Sequence, residues 1–369
     1  METPQTTHNK ILSETIMFLR FPLIVAVVFI HSNPHMITFN GNTPVDIDQF
    51  HVYERVHLLF NYTLTSIAVP LFFFISGFLF FYYCNFSANT YRHKLRKRVK
   101  TLIIPYIIWN LTVVTLYFLA QYFMPSFTSR LSKPVIAYTW LDWINIFWNN
   151  SDGMPVSYQL WFLRDLIMLS ILSPIIYLIV RWCRIWAVIA LGALWIFSQY
   201  FGPPGFSFVG LFFFTSGAWF GVNRHDFAAE FCSLRWPSLI ICLISMGADY
   251  WMRYTDADAY TYHNLVIHRV SIIVGCITVI SWTARGIMAG HLRLSAFLAG
   301  SSFFIFAYHI IPQQLIQKCL VWYFSPMNEA TLIVSYFLIP FAVVGVGMGL
   351  YAFIRKYVPA FTSIITGGR

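Results

Sequence analysis

Charge is what this sequence has least of. Only 10% of its residues are Asp, Glu, Lys or Arg, against 58% hydrophobic ones, and its mean hydropathy is +0.64. Soluble domains carry about 25% charged residues, so a water-soluble globule is excluded. Cysteine is scarce too. Cys84, Cys183, Cys232, Cys242, Cys276 and Cys319 are scattered singly, with no pair at metal-ligand spacing, and this argues against both a zinc site and a disulfide framework. No GxGxxG, Walker, HExxH or GxSxG pattern occurs, so nothing points to a nucleotide loop, a zincin helix or a nucleophile elbow. The first apolar run is not followed by a small-residue cleavage site, which reads as a retained span rather than a removed leader.

What is abundant is apolar runs and aromatic side chains, the latter 19% of the chain. Windows long enough to cross a bilayer give about ten transmembrane helices, near 16–32, 64–83, 102–123, 158–180, 185–200, 206–222, 236–251, 265–284, 296–323 and 330–354. The expectation is one all-α integral membrane domain over residues 1–369, with no appended soluble domain. Basic residues stay in the cytoplasm. On one side fall Lys10, the run Arg92, Lys94, Arg96, Lys97, Arg98 and Lys100, then Arg181, Arg184, Arg224, Arg235, Arg285, Arg293, Arg355, Lys356 and Arg369. Only Arg55, Arg130, Lys133 and Arg253 fall on the other. Both termini are therefore expected in the cytoplasm, and the net charge of +10 reports topology rather than nucleic-acid binding. Acids such as Asp256 and Asp258 sit in the outer loops.

The first span carries "RFPLIVAVVFIH", Arg20 to His31. Ionisable groups at membrane depth are costly and usually face a working interior. Eleven residues at 100° each bring both groups to one helix face, about 16 Å apart along the axis. A second pattern is an echo: "LFFFISGF" at Leu71–Phe78 and "LFFFTSGA" at Leu211–Ala218. It is open to two readings, a duplicated transporter-like half or a small-residue patch on which two helices pack closely.

Arg20 with His31, "VPLFFFISGFLF", the basic run into "KTLIIPYIIWN", "LWFLRDL" and "FFIFAYHIIP" together resemble the acyltransferase-3 family of bacterial membrane-bound O-acyltransferases. The similarity runs over nearly the whole chain. It implies transfer of an acyl group, commonly acetyl from acetyl-CoA as co-substrate, to a hydroxyl of a carbohydrate or other cell-surface or lipid-linked acceptor. No permanently bound cofactor is implied, and the setting is the cytoplasmic membrane. Family members often carry Arg-x-x-Arg where this chain reads Arg98-Val99-Lys100-Thr101, which leaves a cation but no second guanidinium clamp.

The chemistry fits these residues. CoA phosphates call for cations on the inner side, which nominates Arg20, Arg98, Lys100 and Thr101 for donor binding. Acylating a hydroxyl requires removal of its proton, and an imidazole suits that task. His31 is the candidate general base, or else an acyl-carrying nucleophile. Trp161, Arg164 and Asp165 open the fourth span, where Asp165 either orients an imidazole or pairs with Arg164. His309, His268 with Arg269, and Glu54 with His57 are candidates for support or acceptor binding. The competing reading is a transporter or flippase for a glycan precursor. Nothing in the sequence sets the acyl chain, the acceptor or the oligomeric state.

Overall fold

The computed structural model describes residues 4–37, 45–82, 85–123, 133–255, 262–293, 295–325 and 327–368; Cys84, Arg130, Asp256, Asp258 and Arg369 lie outside them. Every regular element among the described residues is helical, apart from one isolated bridge between Ser151 and Met154. Within lipid, backbone polar groups must bond inside their own segment, and the helix achieves this.

Five helical stretches are long and apolar enough to cross a membrane: Lys10–Ile30 within α1 (Pro4–Ile30), His51–Phe81, Ala88–Phe123, α13 (Tyr262–Met288) and α16 (Glu329–Tyr357). The second runs from α2 (His51–His57) to α3 (Ala68–Phe81), and the third joins α4 (Ala88–Arg98) to α5 (Ile104–Phe123). Three further candidates are bent pairs. The stretch containing α7 (Trp161–Ile171) meets α8 (Ser173–Cys183) at 65°, α11 (Phe227–Ser233) meets α12 (Arg235–Thr255) at 77°, and α14 (Ala296–Tyr308) meets α15 (Ile310–Phe324) at 58°. With them the candidate spans number up to eight. Two shorter apolar helices, α9 (Ile185–Phe197) and α10 (Phe208–Val222), complete the set, while α6 (Trp140–Trp148) and α17 (Pro359–Thr366) are peripheral.

The bends have one cause. Pro174, Pro237 and Pro312 stand just inside α8, α12 and α15. Each proline ring has no N–H for the carbonyl four residues back and collides with it, so the helix breaks there. Those carbonyls belong to Ser170, Ser233 and Tyr308, at or next to the ends of α7, α11 and α14. The spans expected as continuous at 158–180 and 296–323 are therefore each broken.

The two echo motifs pack against each other. A Cβ built on Gly77 would stand 2.0 Å from the Phe214 carbonyl oxygen, and one on Gly217 would stand 1.9 Å from that of Phe74. Gly221 likewise meets the Phe78 carbonyl at 2.7 Å. Hence α3 and α10 run parallel with a constant offset, backbone on backbone, as small residues permit in membranes. Around this pair lies the main apolar core, with Leu19, Leu71, Phe73, Phe78, Phe80, Phe214 and Phe227 all fully buried or nearly so.

Candidate active site

A cavity of about 570 Å³, within the range of small-molecule sites, opens among α1, α3, α4, α7 and α14. Its cationic end is built by α4. His93, Lys94, Lys97, Arg98 and Thr101 line it, at the spacing that puts residues on one helix face. Arg92, Arg96 and Lys100, on the opposite face, do not line it. A wide turn over Val99–Ile103, in which the Ile104 amide bonds the Val99 carbonyl five residues back, carries this face into α5. Pro105, lacking an N–H, is unable to continue the ladder there. Arg20 enters from α1, half-buried. No acidic residue lines the cavity, and no carboxylate pairs with these cations among the described residues. Lys94 bonds the Phe80 carbonyl, and Arg98 stands over the Phe80 ring at 5.5 Å. Gly367, at φ +69°, and Gly368 bring the chain from α17 against Thr101 to close one side.

Away from the cations the walls turn apolar: Val27, Val69, Phe72, Phe162, Leu163 and Phe306. Phe306 connects this wall to the histidines. Its ring lies 6.4 Å from that of His309, which lies 5.4 Å from that of His31. His31 sits just past the end of α1, half-buried, with its ring edge-on to Tyr158 at 5.1 Å. His309 is fully buried at the break between α14 and α15, and its Nδ1 donates to the Phe306 carbonyl at 2.8 Å. That bond requires a proton on Nδ1, so in the neutral ring Nε2 is the acceptor. Phe306 thus lies between the cavity, whose wall it joins, and the histidine pair, neither of whose rings lines the cavity.

The structure brings Arg20, Arg98 and Thr101 to the cavity and His309 to His31; it leaves Lys100 exposed and off the cavity. Arg164 and Asp165 pair at 3.0 Å and are spent on loops. Arg164 donates to the carbonyls of Trp148 and Gly153, and the second Asp165 oxygen accepts the Ser207 amide at 3.0 Å. Of the two alternatives for Asp165, this is the pairing one, and the idea that it orients an imidazole is set aside. Trp161 packs on Phe73 and Phe201. Arg269 donates to the carbonyls of Trp195 and Ser198, capping the C-terminus of α9, while His268 joins Arg253 on the fully buried Asp249. Glu54 is half-buried on α2, and no hydrogen bond or ion pair joins it to His31 among the described residues.

Some of the site was missed. His93, absent from the candidates above, lines the cavity one turn before Lys97, a spacing the sequence displays. Phe162, Leu163 and Leu166, inside "LWFLRDL", line the cavity where attention had gone to their charged neighbours. Gln159 and Gln313 bond the carbonyls of Ala307 and Val28, two residues before His309 and three before His31, at 3.0 Å each. Two residues beyond His31 begins a second polar knot. Asn33 accepts from His57 at 2.6 Å, and the His57 ring lies 4.7 Å from that of His35, which bonds the Tyr53 hydroxyl at 2.8 Å.

The architecture is that of a helical membrane protein with a basic cavity close to a pair of histidines, one buried and one half-buried. The chain belongs to the acyltransferase-3 family, whose acyltransferase domain it matches over residues 15–352; it is a membrane acyltransferase. It is 25% identical over 375 residues to the succinoglycan biosynthesis protein ExoH of Rhizobium meliloti (strain 1021), an alignment covering 97% of this chain and 92% of that one. No solved structure matches it.

Proposed function

We propose that the protein transfers an acyl group, acetyl in the simplest case, from acyl-CoA to a hydroxyl of a cell-surface polysaccharide or its lipid-linked precursor, with His31 as general base. The observation that carries this reading is a cavity whose cations have no carboxylate partner among the described residues and whose apolar wall includes Phe306, the neighbour of His309 and through it of His31. Nucleotide phosphates take the Arg20, Lys97 and Arg98 end, where charge-assisted bonds are strongest. The pantetheine arm follows α1 toward His31, which by helix rise lies about 16 Å from Arg20. There the acceptor oxygen attacks the thioester carbonyl while the imidazole takes its proton; the C–S bond then breaks and the departing thiolate recovers that proton. The products are an ester and free CoA. A polysaccharide acceptor is supported by the relative's role in succinoglycan biosynthesis.

The topology that serves this chemistry is ten spans with both termini in the cytoplasm of an inner membrane. Among the described residues five helices and up to three bent pairs are long and apolar enough to cross; the reading adds α9 and α10, which are apolar but shorter, as the remaining two crossings. The transporter reading loses its main support, because the echoed motifs lie backbone to backbone with no room for a cavity between them.

The test uses purified full-length protein in nanodiscs with labelled acetyl-CoA and a polysaccharide acceptor. His31→Gln keeps size and some hydrogen bonding but takes no proton near neutral pH. It should lower turnover by about 10² to 10⁴ while coenzyme A still binds, since a group acting in the transition state is lost without ground-state contacts. Near-normal transfer by this variant would remove the general-base assignment.

A further inference from the structure

Three acceptor atoms, on His309 and on two glutamines that bond the segments carrying the histidines, are buried and have no donor: Gln159 Oε1, Gln313 Oε1 and His309 Nε2. Their residues are 2%, 0% and 0% exposed. A buried acceptor left unpaired loses its hydration without compensation, so such a group calls for an explanation. None of the three is an artefact of orientation. Gln159 Nε2 donates to the Ala307 carbonyl at 3.0 Å, Gln313 Nε2 to the Val28 carbonyl at 3.0 Å, and His309 Nδ1 to the Phe306 carbonyl at 2.8 Å. Because carbonyls only accept, each side chain must present its nitrogen donor to them and its acceptor atom elsewhere.

All three are tied to the segments that carry the histidines. Ala307 is two residues before His309, Val28 is three before His31, and Gln313 follows His309 by one helical turn, its backbone N–H donating to the His309 carbonyl at 3.1 Å. The proline break after Tyr308 makes this possible, since it turns α15 so that His309 and Gln313 meet α1. The group is neutral, with no acid among its members. A cation would have to be desolvated there without a countercharge, which is costly. A ligand that is uncharged and rich in O–H donors meets the need.

We propose that Gln159, Gln313 and His309 form the subsite for the acceptor, and that it takes a polyol: a sugar presenting neighbouring hydroxyls, one of which is held beside His31. The inference rests on the acyl-transfer reading for its place in the reaction, but sugar binding is measurable without a donor. His309→Asn keeps an N–H for the Phe306 carbonyl and deletes the Nε2 acceptor, whereas His309→Gln carries an amide oxygen out to that position.

The probe is methyl β-D-glucopyranoside, with cyclohexylmethanol as a single-hydroxyl control, added to full-length protein in nanodiscs and read by saturation-transfer NMR. Wild type should bind the glucoside and not the control. The Asn variant should lose about tenfold in affinity, the worth of roughly one hydrogen bond, and the Gln variant should retain most of it. No glucoside signal on wild type, or equal signals from wild type and the Asn variant, would overturn the proposal. So would an Asn variant that binds coenzyme A more weakly and glucoside unchanged, for then pantetheine amides occupy these acceptors. If coenzyme A fails to bind wild type while the glucoside behaves as expected, the donor reading fails and the polyol subsite stands. Should the Asn variant not fold, glucoside but not cyclohexylmethanol must still raise the thermal midpoint of wild type, and its failure to do so overturns the proposal.

Discussion

Arg98 and Lys100 are two positions apart, yet only Arg98 lines the cavity. Two residues along a helix are rotated by about 200°, so neighbours in a basic run serve different surroundings. Arg98→Gln should weaken coenzyme A binding about tenfold or more, in keeping with roughly 1.5–3 kcal/mol for a charge-assisted bond. Lys100→Gln should leave the affinity within about twofold, as expected of an exposed charge. Calorimetric titration at two ionic strengths checks both, and the Arg98 effect should shrink as salt screens the phosphates. Equal losses from the two variants would mean that the whole run acts as a diffuse field. Of the candidate site, Arg20, His31 and the basic run were legible because an ionisable group in an apolar segment stands out against its neighbours. Gln159 and Gln313 were not, since a neutral amide in a helix gives no such contrast; their meaning lies in the carbonyls they meet.

At the level of elements, the contact between α3 and α10 is the least forgiving in the protein. Gly77→Ala places a methyl inside the van der Waals radius of the Phe214 carbonyl, and two rigid backbones, not a flexible side chain, must part to admit it. A loss of about 3 kcal/mol follows, the upper end of ordinary overpacking. Thermal unfolding in detergent should show a clear drop in midpoint for Gly77→Ala and for Gly217→Ala. Gly345→Ala and Gly349→Ala, inside α16 where nothing lies within 4 Å, should leave the midpoint unchanged or raise it, since alanine favours a helix interior over glycine by about 0.5–1 kcal/mol. Comparable behaviour of all four would refute the backbone contact. The echo itself was visible in the sequence, and so were the prolines. The bends of 65°, 77° and 58° were not, because hydropathy sums over a window and is blind to direction.

For the molecule as a whole, the orientation in the membrane controls every other assignment. With Cys183 and Cys319, the exposed native thiols among the described residues, replaced by alanine, a Thr90→Cys label should appear only after cells are permeabilised. Ile136→Cys, 83% exposed beyond α5, should react from outside. The reverse pattern would put the basic cavity on the wrong side of the membrane for a cytoplasmic donor.

The sequence by itself determined the class and the chemistry on offer. Its shortage of charge required a membrane, its apolar runs required helices, and the rarity of ionisable groups within those runs marked Arg20, His31 and His309. These are properties of single segments, and a segment carries them wherever it packs. Only the tertiary structure decided which of these groups share a space. The pairing of His31 with His309 across 278 positions of sequence, the withdrawal of Arg164, Asp165 and Arg269 into loop and helix caps, and the alignment of the cavity with Phe306 all depend on how helices broken at proline fold back on one another. That is a matter of directions and distances between segments, which no local run of residues encodes.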